Sequence, residues 1–150
     1  MKILFVLLMF LFPHTSSTWL TDFDQAKVNA EKSHKMILLT FSGSDWCVPC
    51  IRLHKEVFES TVFEKYADDN LVLVNADFPR LKKNRLSKEQ TKKNENLADQ
   101  YNRNGSFPLT VLLDAHGKVI KQWDGVPKET VEAFINEIDA SIHSVATINN

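Results

Sequence analysis

Cys47 and Cys50 are the only cysteines of the chain, and they stand at i and i+3 with Val48 and Pro49 between them. Two thiols at that spacing on the first turn of a helix are set up for thiol-disulfide exchange. One sulfur attacks a disulfide; the other lies on the same helical face and displaces whatever becomes attached. The flanking residues supply the setting. The apolar run from Met36 to Phe41 reads as a strand covered on both faces, and Ile51, Leu53, Val57 and Phe58 follow the pair at helical spacing. Cys47 then meets the unpaired N–H groups and the positive dipole end of a helix, which lower a thiol pKa from its free value of about 8.5. Cys47 is the expected nucleophile and Cys50 the resolving thiol. Pro49 fits because its missing N–H falls in the first turn, where no intrahelical partner exists.

The elements that must position this pair fit in one domain. The chain has 150 residues, 43% hydrophobic and 25% charged, an ordinary balance for a globular protein with a single core. A formal net charge of -1 gives no support for nucleic-acid binding, which shows a basic surplus gathered into a stripe. Residues 1–17 have the parts of a secretory signal: Lys2, an apolar block from Ile3 to Phe12, and a small-residue end at Ser16-Ser17. The block is shorter than the roughly 20 residues of a membrane span. A short retained anchor is the alternative; once a signal is removed, no stable membrane insertion is expected. Residues 18–150 would then form the mature domain, exported to the periplasm or secreted. Two thiols so close together staple no framework, since closing so small a ring gives little loop-entropy stabilisation, so the pair is there to react.

Thr21-Asp22-Phe23-Asp24 is a helix start, and the helix should end near Ser33-His34-Lys35. A short helix is expected from Thr61 to Ala67, broken by Asp68-Asp69-Asn70, and a buried strand from Leu71 to Asp77. Residues 79–96 carry Arg80, Lys82, Lys83, Arg85, Lys88, Lys92 and Lys93 with almost nothing apolar. They read as a basic, solvated insertion leading into a helix from Glu95 to Tyr101, with a docking patch for an acidic partner as the alternative. A third strand follows Phe107-Pro108, and Asp114 to Gly117 turns it into an antiparallel partner running to Trp123. Pro127 fits the first turn of a final helix carrying Val131, Phe134, Ile135, Ile138 and Ile142, and the tail from Ser144 has too little to pack. Two strand-helix-strand crossovers and a hairpin imply an α/β fold: a central mixed sheet of about four strands flanked by helices on both faces.

Trp46-Cys47-Val48-Pro49-Cys50 after a buried strand, Phe107-Pro108 before the third strand, the Asp114 to Gly117 turn, and Gly125 before the last helix together resemble the thioredoxin superfamily. The likeness extends over nearly all of the mature part. The lead-in from Ser42 to Trp46 and Glu56-Val57-Phe58 are most similar to exported bacterial thioredoxin-like proteins related to the thiol:disulfide interchange group. The resemblance implies a cis bond between Phe107 and Pro108 beside the dithiol, with Trp46, Phe107 and Pro108 forming the substrate-binding surface. It also marks departures. Where thioredoxins bury an aspartate in the strand before the dithiol this chain has Thr40, and the usual lysine partner is expected to be replaced by Leu73. His54, at i+4 from Cys50, is the candidate proton acceptor because imidazole titrates near neutrality; the alternative is a half-exposed histidine without a role. Asp45 reads as a loop residue capping the helix that carries the dithiol.

The expected function is an extracytoplasmic thiol-disulfide oxidoreductase. Pro49 inclines it to a reductase, as in reducing thioredoxins, although Val48 stands where they have glycine. Its partners would be disulfide-bearing proteins and an upstream thiol electron donor, and it would act as a monomer without a cofactor. A soft-metal carrier for Cu(I), or a redox-inactive binding module on the same fold, is the alternative. Two cysteines supply half of a tetrahedral zinc set, and His14, His34, His116 and His143 share no ligand spacing, so no metal site is expected.

Overall fold

The computed structural model describes residues 18–148, so the expected signal at residues 1–17 lies outside the described residues. Its framework is a four-stranded sheet in the order β2-β1-β3-β4. Strand β1 (Met36–Ser42) is central, parallel to β2 (Leu71–Asp77) and antiparallel to β3 (Leu109–Leu113), which pairs in turn with β4 (Val119–Asp124). The sheet is mixed, but not through two parallel crossovers. β1 finishes at the dithiol end of the molecule, and β3 starts there, directly after Pro108, so the two run in opposite directions.

Because strand side chains alternate, β1 divides its residues between two cores. Ile37, Leu39 and Phe41 pack with Ala26 and Ala30 of α1 (Phe23–Ser33) and with Leu97 and Tyr101 of α4 (Lys88–Tyr101). Leu38 faces the other way, among Leu53, Phe63 of α3 (Thr61–Asn70), and Phe134 and Ile138 of α5 (Val131–Ile148). Helices thus cover both faces. Leu53 ends α2 (Val48–Leu53), the helix led by the dithiol, and a π-helical turn from His54 to Phe58 continues it. Of the apolar positions at helical spacing after the dithiol, Leu53, Val57 and Phe58 are buried and Ile51 is 45% exposed.

Several boundaries differ from those the sequence implies, each for a local polar reason. Helix α1 begins as expected, with the Asp22 carboxylate accepting from Gln25 N at 2.9 Å. Asp68-Asp69-Asn70 do not break α3 but form its last turn, where the Asn70 amide donates to the Tyr66 carbonyl and the Lys35 ammonium to the Asp68 carbonyl. Helix α4 starts at Lys88, well before Glu95, capped by Ser87, whose Oγ accepts from Gln90 N at 3.1 Å. Its inward face includes Asn94, 1% exposed, which donates to the Asp77 carbonyl and accepts from the Gln90 side chain. A search for apolar periodicity passes over a buried asparagine. Pro127 lies ahead of α5 rather than in its first turn; Thr130 is the cap, accepting from Ala133 N at 3.2 Å. The tail expected to fray from Ser144 continues the helix to Ile148, with the Thr147 hydroxyl bonded back to the His143 carbonyl.

Candidate active site

The loop from β1 to α2 turns tightly, with Trp46 N and Cys47 N both donating to the Gly43 carbonyl at 3.2 and 2.9 Å. Gly43 is required there. A Cβ at this position would lie 2.3 Å from the Trp46 indole, so any larger residue would push the ring away. Cys47 is the N-cap of α2, and its Sγ accepts from Cys50 N at 3.3 Å. The two cysteines are joined as a disulfide with S–S 2.08 Å and Cα–Cα 5.2 Å. In this oxidised form both residues are 4% exposed.

Beneath Cys50 the alternation of β1 that buries Leu38 brings Thr40 to the same face. Thr40 is 4% exposed and stands in register with Asn75 on β2 and Thr110 on β3, forming a polar row across three strands. Leu73, expected in place of the family's lysine, pairs with Leu38, and the residue in register with Thr40 is Asn75. The row continues through Ser42, whose hydroxyl donates to Asn75 at 2.8 Å, to Asp77, which accepts from Ser44 N at 2.9 Å. A cavity of about 290 Å³ opens over this row, lined by Thr40, Ser42, Asn75, Cys50, His54 and Pro108 among others.

His54 therefore shares a cavity with Cys50, although it is also half exposed. Its imidazole packs against Trp19, with ring centroids 5.8 Å apart, and its Nε2 lies 3.4 Å from a Glu59 carboxylate oxygen. Glu59 comes close because the π-helical turn ends with its N–H donating to the His54 carbonyl at 2.9 Å. Sequence spacing gave no notice of Glu59. Asn75 was detectable in principle, as a polar residue interrupting the aliphatic run of β2.

On the other side of the dithiol, the Phe107-Pro108 bond is cis and the Phe107 ring meets Trp46 edge-on at 5.5 Å. The Trp46 indole donates to the Phe78 carbonyl at 2.7 Å, and the Arg80 guanidinium lies over its ring at 3.7 Å. Asp45 does not cap α2; Cys47 occupies that position. The Asp45 carboxylate instead accepts from Arg80 N, Leu81 N and the Asn84 amide at 2.9, 3.0 and 3.0 Å. These donors, the Arg80 N–H foremost, hold its pKa below the ordinary carboxylate value. Among the described residues no group of three or more His, Cys, Asp or Glu side chains gathers as a metal centre would require.

A family model described as a thioredoxin-like domain matches residues 23–139. The chain is 40% identical over 118 residues, 79% of its own length and 69% of the other's, to a Chlamydia pneumoniae protein named disulfide bond reductase DsbH. Among solved structures, one titled DsbH oxidoreductase superposes with a TM-score of 0.76 at 30% identity, with 86% of each chain covered. A disulphide isomerase from Xylella fastidiosa Temecula1 aligns with a TM-score of 0.59, covering 86% of this chain and 93% of that one. At 18% identity this last match speaks to the fold alone.

The Asp45 contacts generate a prediction. Since its folded-state pKa is depressed, the tether is in place above the ordinary carboxylate range and is released only as pH falls through the lowered value. At neutral pH, Asp45→Ala should free the backbone from Arg80 to Asn84, and limited trypsin digestion should then cut there several times faster than in the wild type. Equal cleavage rates would show that the segment is held by other contacts.

Proposed function

This chain belongs to the thioredoxin-like family, and from that premise we propose that it is an exported thiol-disulfide oxidoreductase that works as a disulfide reductase. The observation that carries the reading is the Cys47–Cys50 pair at the head of α2, with the Cys47 sulfur already accepting a backbone N–H and Cys50 over a polar cavity. An N–H donated to sulfur favours the thiolate over the thiol, so in the reduced protein Cys47 is the stronger nucleophile.

In the reduced protein the Cys47 thiolate attacks one sulfur of a substrate disulfide. A bond forms between Cys47 and that sulfur, the substrate S–S bond breaks, and the other substrate sulfur leaves as a thiolate and takes a proton. Cys50 then loses its proton and attacks the Cys47 sulfur. The internal disulfide forms, the second substrate thiol is released, and two electrons have passed from the dithiol to the substrate. An upstream thiol donor returns the pair to the reduced state. Trp46, Phe107 and Pro108 form the substrate surface, with the edge of Phe107 available to pair with an extended peptide. The protein acts as a monomer.

The Cys50 proton goes to His54 through the shared cavity. Thr40 and Asn75 are no use as proton acceptors, whereas the His54 imidazole lines the same space, with its Nε2 3.4 Å from a Glu59 carboxylate oxygen. The reductase direction draws on Pro49 within the dithiol and on the similarity to the disulfide bond reductase DsbH. An extracytoplasmic place draws on residues 1–17 and on the same relative. No helix among the described residues is long and apolar enough to cross a membrane.

Two outcomes are expected. With dithiothreitol as donor the protein should reduce insulin disulfides, Cys47→Ser should abolish turnover, and Cys50→Ser should accumulate a mixed disulfide visible on non-reducing gels. Stoichiometric Cu(I) uptake without turnover would point to the carrier instead. His54→Gln should slow resolution by about tenfold or more near neutral pH and remove a limb from the pH-rate profile. A profile superimposable on the wild type would take His54 out of the mechanism.

A further inference from the structure

The basic segment is solvated, as its composition suggests, but it is not free. Asp45, in the loop that carries the dithiol, fixes its start through three hydrogen bonds. The segment then forms one wall of a groove of about 940 Å³ whose floor holds Trp46, Phe78, Leu86 and Phe107. Trp46 and Phe107 are the residues immediately before Cys47 and Pro108, so the groove begins where a substrate disulfide must dock. Its volume is at the upper end for ligand sites, enough for a stretch of extended peptide.

Charge distinguishes what fits. Arg80, Arg85, Lys88 and Lys92 line the groove against two carboxylates, Asp77 and Glu95. Both carboxylates are already engaged: Asp77 by Ser44 and the Phe78 N–H, Glu95 by Lys92 at 3.9 Å. Among the described residues, Arg80, Arg85 and Lys88 have no carboxylate within salt-bridge distance, and all three are exposed. The groove thus offers unpaired guanidinium and ammonium groups above an aromatic floor.

We propose that this groove selects disulfide-bearing protein segments with aspartate or glutamate next to the cystine. It rests on the oxidoreductase reading and names the substrate class for it. Guanidinium groups at Arg80 and Arg85 form charge-assisted hydrogen bonds to the acidic side chains, the aromatic floor takes the apolar part of the peptide, and the bound segment lays its sulfur beside Cys47. Attraction between opposite charges also raises the rate of encounter, an effect that salt suppresses.

The test uses two synthetic peptides with the same cystine loop, one flanked by acidic residues and the other by lysines. The readout is the second-order rate constant at which each oxidises the reduced protein. At low ionic strength the acidic peptide should react on the order of tenfold faster, and molar salt should remove most of the difference. In the double variant R85E/K88E, with an unfolding midpoint like that of the wild type, the preference should vanish or reverse. Equal rates for the two peptides with the wild type, or a preference unchanged in the double variant, would overturn the proposal. Bis(2-hydroxyethyl) disulfide, uncharged and too small to reach the groove, serves as a wild-type control. If it and both peptides fail to oxidise the protein, the oxidoreductase reading falls, and the groove's assignment falls with it.

Discussion

The fold depends most on the central position of β1. Bonded on one side to β2 and on the other to β3, this strand is held along its whole length, so the place where it ends is fixed. Its end at Ser42 and the tight turn through Gly43 set Cys47 at the head of α2. The same strand, through its alternation, buries Leu38 in one core and Ile37, Leu39 and Phe41 in the other. At Thr40 and Ser42 the same face as Leu38 turns polar, in the cavity that Cys50 also lines. A one-residue slip of register would send Thr40 to the opposite face, beneath α1 and α4, and put an apolar residue in its place under Cys50.

Around that fixed point the two cysteines meet different environments although both are covered. Cys47 receives a backbone N–H at the helix start, which favours negative charge on its sulfur. Cys50 lies inside the first turn, over Thr40, Asn75 and His54, where a proton can be handed on. Loop residues divide the remaining tasks. Gly43 makes room for the Trp46 ring, Asp45 holds the following segment, and Trp46 is gripped by the Phe78 carbonyl and by Arg80. The dithiol loop and the basic segment therefore act as one surface.

Much of this was legible in the residues. The aliphatic runs from Met36 and Leu71 specified the two parallel strands, the position of Cys47 after one of them specified the helix start, and Asp22 announced α1. What escaped was polar structure. Asn94 is buried where apolar periodicity predicts exposure, and so the first turns of α4 read as solvated chain. Asp45 resembles a helix cap in sequence, yet its hydrogen bonds reach Arg80, Leu81 and Asn84, partners far along the chain. The pairing of Thr40 with Asn75 depends on strand register, which no local pattern contains. Glu59 approaches His54 only because the helix widens into a π turn.

The central claim is that the helix start makes Cys47 an acidic, reactive sulfur while Cys50 waits beneath it. The direct measurement is the pH dependence of iodoacetamide alkylation of the fully reduced protein, with each cysteine followed by peptide mass spectrometry. The account predicts that Cys47 is modified first, along a titration whose midpoint lies below the value of about 8.5 for a free thiol, while Cys50 lags. Modification of Cys47 along a free-thiol profile, or no faster than Cys50, would contradict it.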